Sequence, residues 1–126
     1  MEGVRIISPA DAFALFGDLA RLDRERLWSA CLDRGGGVLA VRRDGPGDAC
    51  SARMPIAELL RDAAMRGAWG LIVAHNHPGG GEAPSRQDIR ATRRLAEGAQ
   101  ALGLQLIDHV VVAGGEWASF RLLGLL

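Results

Sequence analysis

Two histidines and one aspartate in the middle of the chain have the residue types and spacing that suit metal chemistry. His75 and His77 follow an apolar run, residues 69–74, that predicts a buried strand. If the strand continues through His77, both imidazoles project from one face, because side chains along a strand alternate with period two. Asp88 lies on the first turn of a helix predicted to open at Ser85, after a loop rich in Gly and Pro. Two imidazoles and a carboxylate are a suitable ligand set for a zinc ion, with a fourth position left for water.

Each part of this pattern also has an ordinary structural interpretation. A single histidine at a strand end is more often a hydrogen-bonded loop residue than a metal ligand. Ser85 and Asp88 have the spacing of a helix capping box, in which Asp replaces the more usual Glu or Gln. The two interpretations are compatible, because an N-cap hydroxyl and an N3 carboxylate both lie at the helix mouth, where Asp88 can face the imidazoles.

The spacing of these residues resembles the signature of the JAMM (JAB/MPN) metalloproteases. His75-x-His77, seven residues, Ser85, two residues and Asp88 match that signature without a gap. Longer strings are similar to the bacterial RadC-like branch of the family, namely residues 75–80, 84–89, 92–95, 108–112 and 119–120. Because the resemblance covers nearly the whole chain, residues 1–126 are expected to form a single RadC-like JAB/MPN domain, without the N-terminal helical region of full-length RadC proteins.

The order of predicted helices and strands indicates an α/β fold. Helices are predicted to open at Ser8, Met54 and Ser85. Strands are predicted at residues 25–33, 38–43, 49–53, 69–75, 104–112 and 117–121, with a loop at residues 44–48. This order fits a three-layer α/β/α sandwich, and the resemblance implies a mixed sheet with a cytidine-deaminase-like architecture. The apolar residues 122–126 are expected to pack onto the sheet, with a homodimer contact as the alternative.

The resemblance implies a zinc-dependent hydrolase that cleaves a peptide or isopeptide bond in a protein substrate with a zinc-activated water. Such a site needs a carboxylate that takes the proton of the water and delivers it to the leaving amine. From residue chemistry alone, Glu25, Glu82, Glu97 and Glu116 all remain open as this general base. The family pattern selects Glu25, at the start of a strand, and the Ser85 hydroxyl is expected to stabilise the oxyanion.

Asp108 and His109 also match the RadC-like pattern. They lie within an apolar segment that predicts a strand, and a plain core strand is the favoured interpretation of both residues. A supporting role behind the metal ligands is the alternative.

The charge balance argues against nucleic acid as a direct ligand. Fifteen arginines, no lysines and fifteen acidic residues give a formal net charge of zero, with a sequence pI near 6.8. The local exception is a row of arginines on the last predicted helix, Arg86, Arg90, Arg93 and Arg94. A solvated helix face is the commoner explanation of such a row.

The cysteines and the N-terminal residues predict a cytoplasmic protein with reduced thiols. Cys31 and Cys50 do not form a CxxC pair, so neither a zinc knuckle nor a redox motif is indicated. Residues 1–5 do not resemble a signal peptide, and no apolar stretch reaches membrane-spanning length. No membrane partner is therefore expected.

Three classes of function compete on this sequence. The complete set of histidines, serine and aspartate favours a metal-dependent peptidase or isopeptidase. A DNA-repair-associated accessory protein is the alternative that the RadC-like resemblance implies, and a non-catalytic interaction scaffold is a third, since some relatives have lost the metal ligands. A zinc base deaminase and a zincin are excluded, because the strings His-x-Glu with Pro-Cys-x-x-Cys, and His-Glu-x-x-His, are absent.

Overall fold

The structure, a computed structural model, describes residues 3–43 and 54–126. The helices are α1 (Pro9–Phe16), followed by a 3₁₀ helix (Gly17–Arg21), α2 (Ile56–Met65) and α3 (Arg86–Ala101). The strands are β1 (Leu27–Leu32), β2 (Val38–Arg43), β3 (Gly70–Asn76), β4 (Gln105–Ala113) and β5 (Glu116–Ser119). The predicted α/β class and mixed sheet are confirmed. The predicted strand at residues 49–53, the loop at residues 44–48 and Cys50 lie outside the described residues.

The five strands form one sheet in the order β2-β1-β3-β4-β5. β3 and β4 are parallel and are joined by α3, whereas the other neighbouring strands are antiparallel. A parallel pair needs such a crossover, and here the crossover brings the start of α3 back to the end of β3. β3 lies in the middle of the sheet, and all seven of its residues are buried. The end of this central strand is therefore enclosed by structure on several sides.

Apolar clusters cover both faces of the sheet, which gives the three layers. On one face, α2 and α3 pack on alternate strand residues such as Leu71 and Val73. On the other face, α1 and the 3₁₀ helix pack on Ile72, Ala74 and their neighbours. By the same alternation, the odd-numbered residues that follow in β3 turn toward α3. The residues between them turn toward α1.

Local sequence explains where the helices begin and end. Ser8 caps α1 by a reciprocal capping box with Asp11, and Pro9 occupies the first turn, where its missing N–H costs nothing. Gly67 and Gly103 follow α2 and α3 with φ of +65° and +75°, a conformation that favours glycine. The predicted starts of the helices are therefore correct to within two residues.

Two predicted boundaries differ from the structure. β1 is shorter than the predicted strand at residues 25–33, because the chain bends at residues 23–24 and joins the sheet only at Leu27. β5 ends at Ser119, so Phe120 and Arg121 belong to the turn that follows it. At the C-terminus only part of the predicted packing occurs, since Leu126 packs against the α2–α3 face of the core, whereas Leu122 and Leu123 are exposed. Among the described residues, no helix has both the length and the apolar character needed to cross a membrane.

Candidate metal centre

The central strand presents His75 and His77 side by side at its carboxyl end. Their Nε2 atoms lie 2.9 Å apart, as expected for two residues that project from one face of a strand. His75 is fully buried, and the His77 side chain is 17 % exposed. The backbone N–H of His77 donates to Val112 O at 3.0 Å, which extends the pairing of β3 with β4. The strand thus continues far enough to place both imidazoles together.

The carboxylate of Asp88 closes this group from the first turn of α3. Its oxygens lie 3.2 Å from His75 Nε2 and 3.1 Å from His77 Nε2. The three side chains form a group of the kind that could hold a metal ion. Asp88 is fully buried, although carboxylates are rarely buried without a charged or metallic partner.

The capping box predicted for Ser85 and Asp88 is present at the same time. The Ser85 backbone N–H donates to Asp88 Oδ2 at 2.8 Å, and the Asp88 N–H donates to Ser85 Oγ at 3.0 Å. These two bonds hold the aspartate rotamer that faces the imidazoles. The capping and the metal interpretations of Asp88 are therefore satisfied by one conformation.

The loop after β3 determines which ring nitrogen of His77 faces His75 and Asp88. His77 Nδ1 lies 2.9 Å from Gly81 O, and because a carbonyl only accepts, Nδ1 carries the proton. In the neutral ring this leaves a lone pair on Nε2, the atom that faces His75 and Asp88. The Gly-rich segment thus has a definite role, since its backbone orients His77, the partly exposed histidine of the pair.

Behind His75 lies a buried polar chain. His75 Nδ1 is 2.6 Å from His109 Nε2, and His109 Nδ1 is 2.6 Å from Thr92 Oγ1. The Thr92 hydroxyl also donates to Asp88 O at 2.7 Å. Phe120 stacks on the His109 ring with centroids 4.5 Å apart. Burial lowers the pKa of His109 well below its ordinary value, and the neighbouring His75 lowers it further.

Asp108 and His109 were both expected to be plain core residues, but in the structure they have different roles. The Asp108 carboxylate accepts hydrogen bonds from the His109 N–H at 2.7 Å and from the Arg121 N–H at 3.1 Å, so that it organises the backbone where β4 meets β5. The His109 side chain instead contacts His75. Thr92 was not selected from the sequence as a residue that supports the site, although it lies four residues after Asp88 on the same helix face.

Asn76, between the two histidines, points to the opposite face and holds the segment that precedes β1. Its amide donates to Leu19 O at 3.1 Å and to Arg24 O at 2.9 Å, while its oxygen accepts from the Arg26 N–H at 2.6 Å. Sequence reasoning did not select Asn76. The sequence offered one indication: a polar residue between two proposed metal ligands on a buried strand must find hydrogen-bond partners on the other face of the sheet.

Glu25, the predicted general base, is half-buried in this segment. In the β1–β3 register Leu27 pairs with His75, and the Asn76 N–H donates to Arg26 O at 3.4 Å. The pairing of the two strands ends at Leu27 and His75, so Glu25 lies two residues before the last pair. The other three candidate bases are Glu82 in the loop after β3, Glu97 on the exposed side of α3, and Glu116 at the start of β5.

An open cavity of about 650 Å³ adjoins His77 at this end of the sheet. Its walls come from three segments, which are Ala20 to Asp23, Asn76 to Gly80, and Val112 to Gly114. The four arginines at positions 86, 90, 93 and 94 are exposed on α3, as predicted for a solvated helix face. Of the three grouped residues, His77 lines this cavity, whereas His75 and Asp88 are fully buried.

Comparison with known proteins identifies the family of this chain. A family model described as "RadC-like JAB domain" matches residues 6–125. The chain is 37 % identical over 119 residues to a UPF0758 protein of Desulforudis audaxviator, covering 94 % of this chain and 52 % of that protein. It is 38 % identical over 121 residues to a UPF0758 protein of a Picosynechococcus species, covering 95 % and 50 % of the two chains. The chain thus spans about half the length of these curated relatives. On the strength of the family match over nearly its whole length, this chain belongs to the RadC-like JAB domain family.

Proposed function

We propose that this domain is a zinc-dependent hydrolase of the JAMM type that cleaves a peptide or isopeptide bond in a protein substrate with an activated water. The observation that carries the proposal is the convergence of His75 Nε2, His77 Nε2 and the Asp88 carboxylate, with separations of 2.9 to 3.2 Å. Membership of the RadC-like JAB domain family supports it. The adjoining cavity offers space for a polypeptide beside His77.

The donor set fits zinc in number, type and spacing. Zinc ligands at about 2.0 to 2.1 Å in a tetrahedral arrangement lie about 3.3 Å from one another, close to the separations found here. The His77 lone pair faces His75 Nε2 at 2.9 Å, beside a buried carboxylate. A cation among these atoms would relieve the repulsion between electron-rich groups. When bound, zinc would lower the pKa of a coordinated water toward neutrality and polarise a substrate carbonyl.

The chain's own residues would supply the proton transfers. Glu25 is proposed as the general base that takes the proton of the water and passes it to the leaving amine. Its position two residues before the Leu27–His75 pair and the anchoring of its segment by Asn76 support this role. Ser85 is proposed to donate to the developing oxyanion. Because Ser85 Oγ accepts from the Asp88 N–H, its own hydroxyl proton remains available for donation.

Metal content is the first test of the proposal. The purified protein is expected to contain about one zinc per chain, while His75→Ala and His77→Ala lose it. Arg90→Ala, an exposed change on α3, is the matched control and should keep the metal. Full zinc retention in both histidine variants would overturn the site assignment. A peptide library that the wild-type protein cleaves and His77→Ala does not cleave would then establish hydrolysis.

The two alternative functions, a non-catalytic scaffold and a DNA-repair-associated protein, have less support. A non-catalytic scaffold has no need of a buried carboxylate directed at two imidazoles, so the intact group argues against it. A DNA-repair-associated role is supported only by the RadC-like family and by the four exposed arginines of α3. A direct DNA contact would have to use that surface, because the chain as a whole carries no net charge.

A further inference from the structure

We propose that Thr92 and His109 are positioning residues that set the tautomer of His75 and thereby direct its Nε2 lone pair at the metal site. The inference rests on the proposed metal site but not on hydrolysis. It follows from assigning the protons along a buried series of hydrogen bonds, which runs from Thr92 on α3 through His109 on β4 to His75 on β3. Each of its three hydrogen bonds is 2.6 to 2.7 Å long.

The count begins at Thr92, whose hydroxyl has a single proton. Thr92 Oγ1 lies 2.7 Å from Asp88 O, a carbonyl that can only accept. A threonine inside a helix commonly gives its proton to the carbonyl four residues earlier. The oxygen therefore turns a lone pair toward His109 Nδ1, 2.6 Å away, and that nitrogen must be the donor.

The same logic passes through His109 to His75. A neutral imidazole with its proton on Nδ1 has a lone pair on Nε2. His109 Nε2 lies 2.6 Å from His75 Nδ1, which must then carry the proton of the second ring. His75 is left with a lone pair on Nε2, the atom that faces His77 and Asp88. This is the only neutral tautomer of His75 that can bind a cation there.

Burial restricts the three residues to this pattern of hydrogen bonds. His75 and His109 have no exposed surface, and Thr92 is 1 % exposed, so water cannot readily replace a missing partner. Phe120 stacks on His109 at an interplanar angle of 8°, which limits rotation of the ring. A ligand histidine usually donates its second nitrogen to a carboxylate or a carbonyl. Here the acceptor is another histidine, which itself needs Thr92 to select its tautomer.

This series of hydrogen bonds also connects two of the proposed metal ligands, which lie on different secondary-structure elements. His75 lies on β3 and Asp88 on α3, and the link between them runs through His109 on β4 and the Thr92 hydroxyl to the backbone carbonyl of Asp88. The relative position of the imidazole and the first turns of α3 is therefore maintained by hydrogen bonds that lie behind the site. Loss of the Thr92 hydroxyl should loosen both the tautomer and this connection.

Zinc affinity of three variants tests the proposal. Thr92→Val removes the hydroxyl at nearly constant shape and should weaken zinc binding about 10- to 100-fold in competition with a chelator. Thr92→Ser keeps the hydroxyl and should bind zinc as the wild type does. Ser29→Ala removes another buried hydroxyl, on β1, and serves as the matched control with unchanged affinity. Wild-type affinity in a folded Thr92→Val variant would overturn the proposal.

The tautomers themselves can be measured without any metal. The chain has three histidines, so long-range proton–nitrogen correlation of the ¹⁵N-labelled apoprotein, above the pH range in which histidine titrates, gives few signals. His75 and His109 are both expected to be protonated on Nδ1, the less common tautomer of a free side chain. A proton on Nε2 of either ring would overturn the inference. This readout tests the tautomers even if Thr92→Val fails to fold. Failure of the wild type to bind zinc would overturn the proposed metal site and the positioning role with it, whereas a proton on Nε2 in a protein that binds zinc would overturn the inference alone.

Discussion

The side-chain oxygen of Asn76 accepts a hydrogen bond of 2.6 Å from the backbone N–H of Arg26, fifty residues earlier in the chain. This bond connects the strand that carries both histidines with the segment that carries Glu25. Because the Asn76 amide also donates to Arg24 O and Leu19 O, one side chain holds the turn between the 3₁₀ helix and β1.

Asn76→Ala is expected to separate the proposed base from the proposed metal site. The change leaves buried backbone groups without partners, and it should lower the free energy of unfolding by more than about 2 kcal/mol. Hydrolysis per folded molecule should fall, while zinc content stays near one per chain, because the Asn76 side chain points away from the ligands. Denaturant unfolding and elemental analysis measure the two effects, with the exposed Gln100→Ala as control. Loss of zinc together with activity would instead make Asn76 a support of the histidines.

Glu25→Gln tests the general base directly. Glutamine keeps the size and much of the hydrogen bonding of the side chain but cannot take the proton of the water. Fold and zinc content should survive, and turnover should fall at least about a hundredfold. Glu82→Gln, in the loop after β3, is the matched comparison and should retain most activity. If Glu82→Gln is the inactive variant and Glu25→Gln is not, the base role passes to Glu82.

Ser85→Ala distinguishes the helix cap from the oxyanion donor. Loss of the hydroxyl that accepts from the Asp88 N–H should cost about 1 kcal/mol of stability. Loss of an oxyanion donor should in addition lower turnover roughly a hundredfold or more. The corresponding variant at the other capping box, Ser8→Ala, should show a comparable loss of stability without the loss of turnover. Equal turnover in the two variants would reduce Ser85 to a helix cap.

The Cys31 thiol should be inert in the folded protein. Burial, reinforced by the nearby Asp62 carboxylate, raises the pKa of Cys31 to about 11, compared with about 8.5 for a free thiol. Because the unfolded thiol ionises first, this group stabilises the fold fully below about pH 8.5, and its contribution is lost as pH rises toward about 11. In a Cys50→Ser background, a thiol reagent at pH 8 should modify Cys31 only as the protein unfolds. Rapid stoichiometric modification of the native protein would contradict this.

Duplex DNA should bind weakly and with a strong dependence on salt. Among the described residues, the exposed row on α3, Arg86, Arg90, Arg93 and Arg94, is the surface expected to contact phosphates. Four phosphate contacts limit the slope of log K against log salt concentration to about −4. Fluorescence anisotropy of a labelled duplex at several salt concentrations measures this slope. Tight, sequence-specific binding near physiological salt would make the accessory role in DNA repair the leading one.

Local patterns in the sequence predicted most of the described elements and brought the proposed ligands together. The apolar run before His75 predicted the central strand, and the period of two predicted that His75 and His77 share a face. The Ser85 cap predicted both the start of α3 and the place of Asp88 in its first turn. These predictions succeeded because each depends on residues within a few positions of one another, where backbone geometry alone sets the direction of the side chains.

The role of His109 depended on the tertiary structure. The register of β3 and β4 shifts by one residue between the pairs Leu71–Leu106 and Ile72–Asp108, so strict alternation along β4 is broken there. Counted by alternation from Leu106, which packs on the α2–α3 face, His109 would lie on the α1 face, away from His75. The irregularity turns it back toward the metal ligands, and the Asp108 carboxylate bonds the His109 N–H at that point. A single extra residue in a strand reverses which face each later side chain occupies, and only the pairing with a distant strand reveals that it is there.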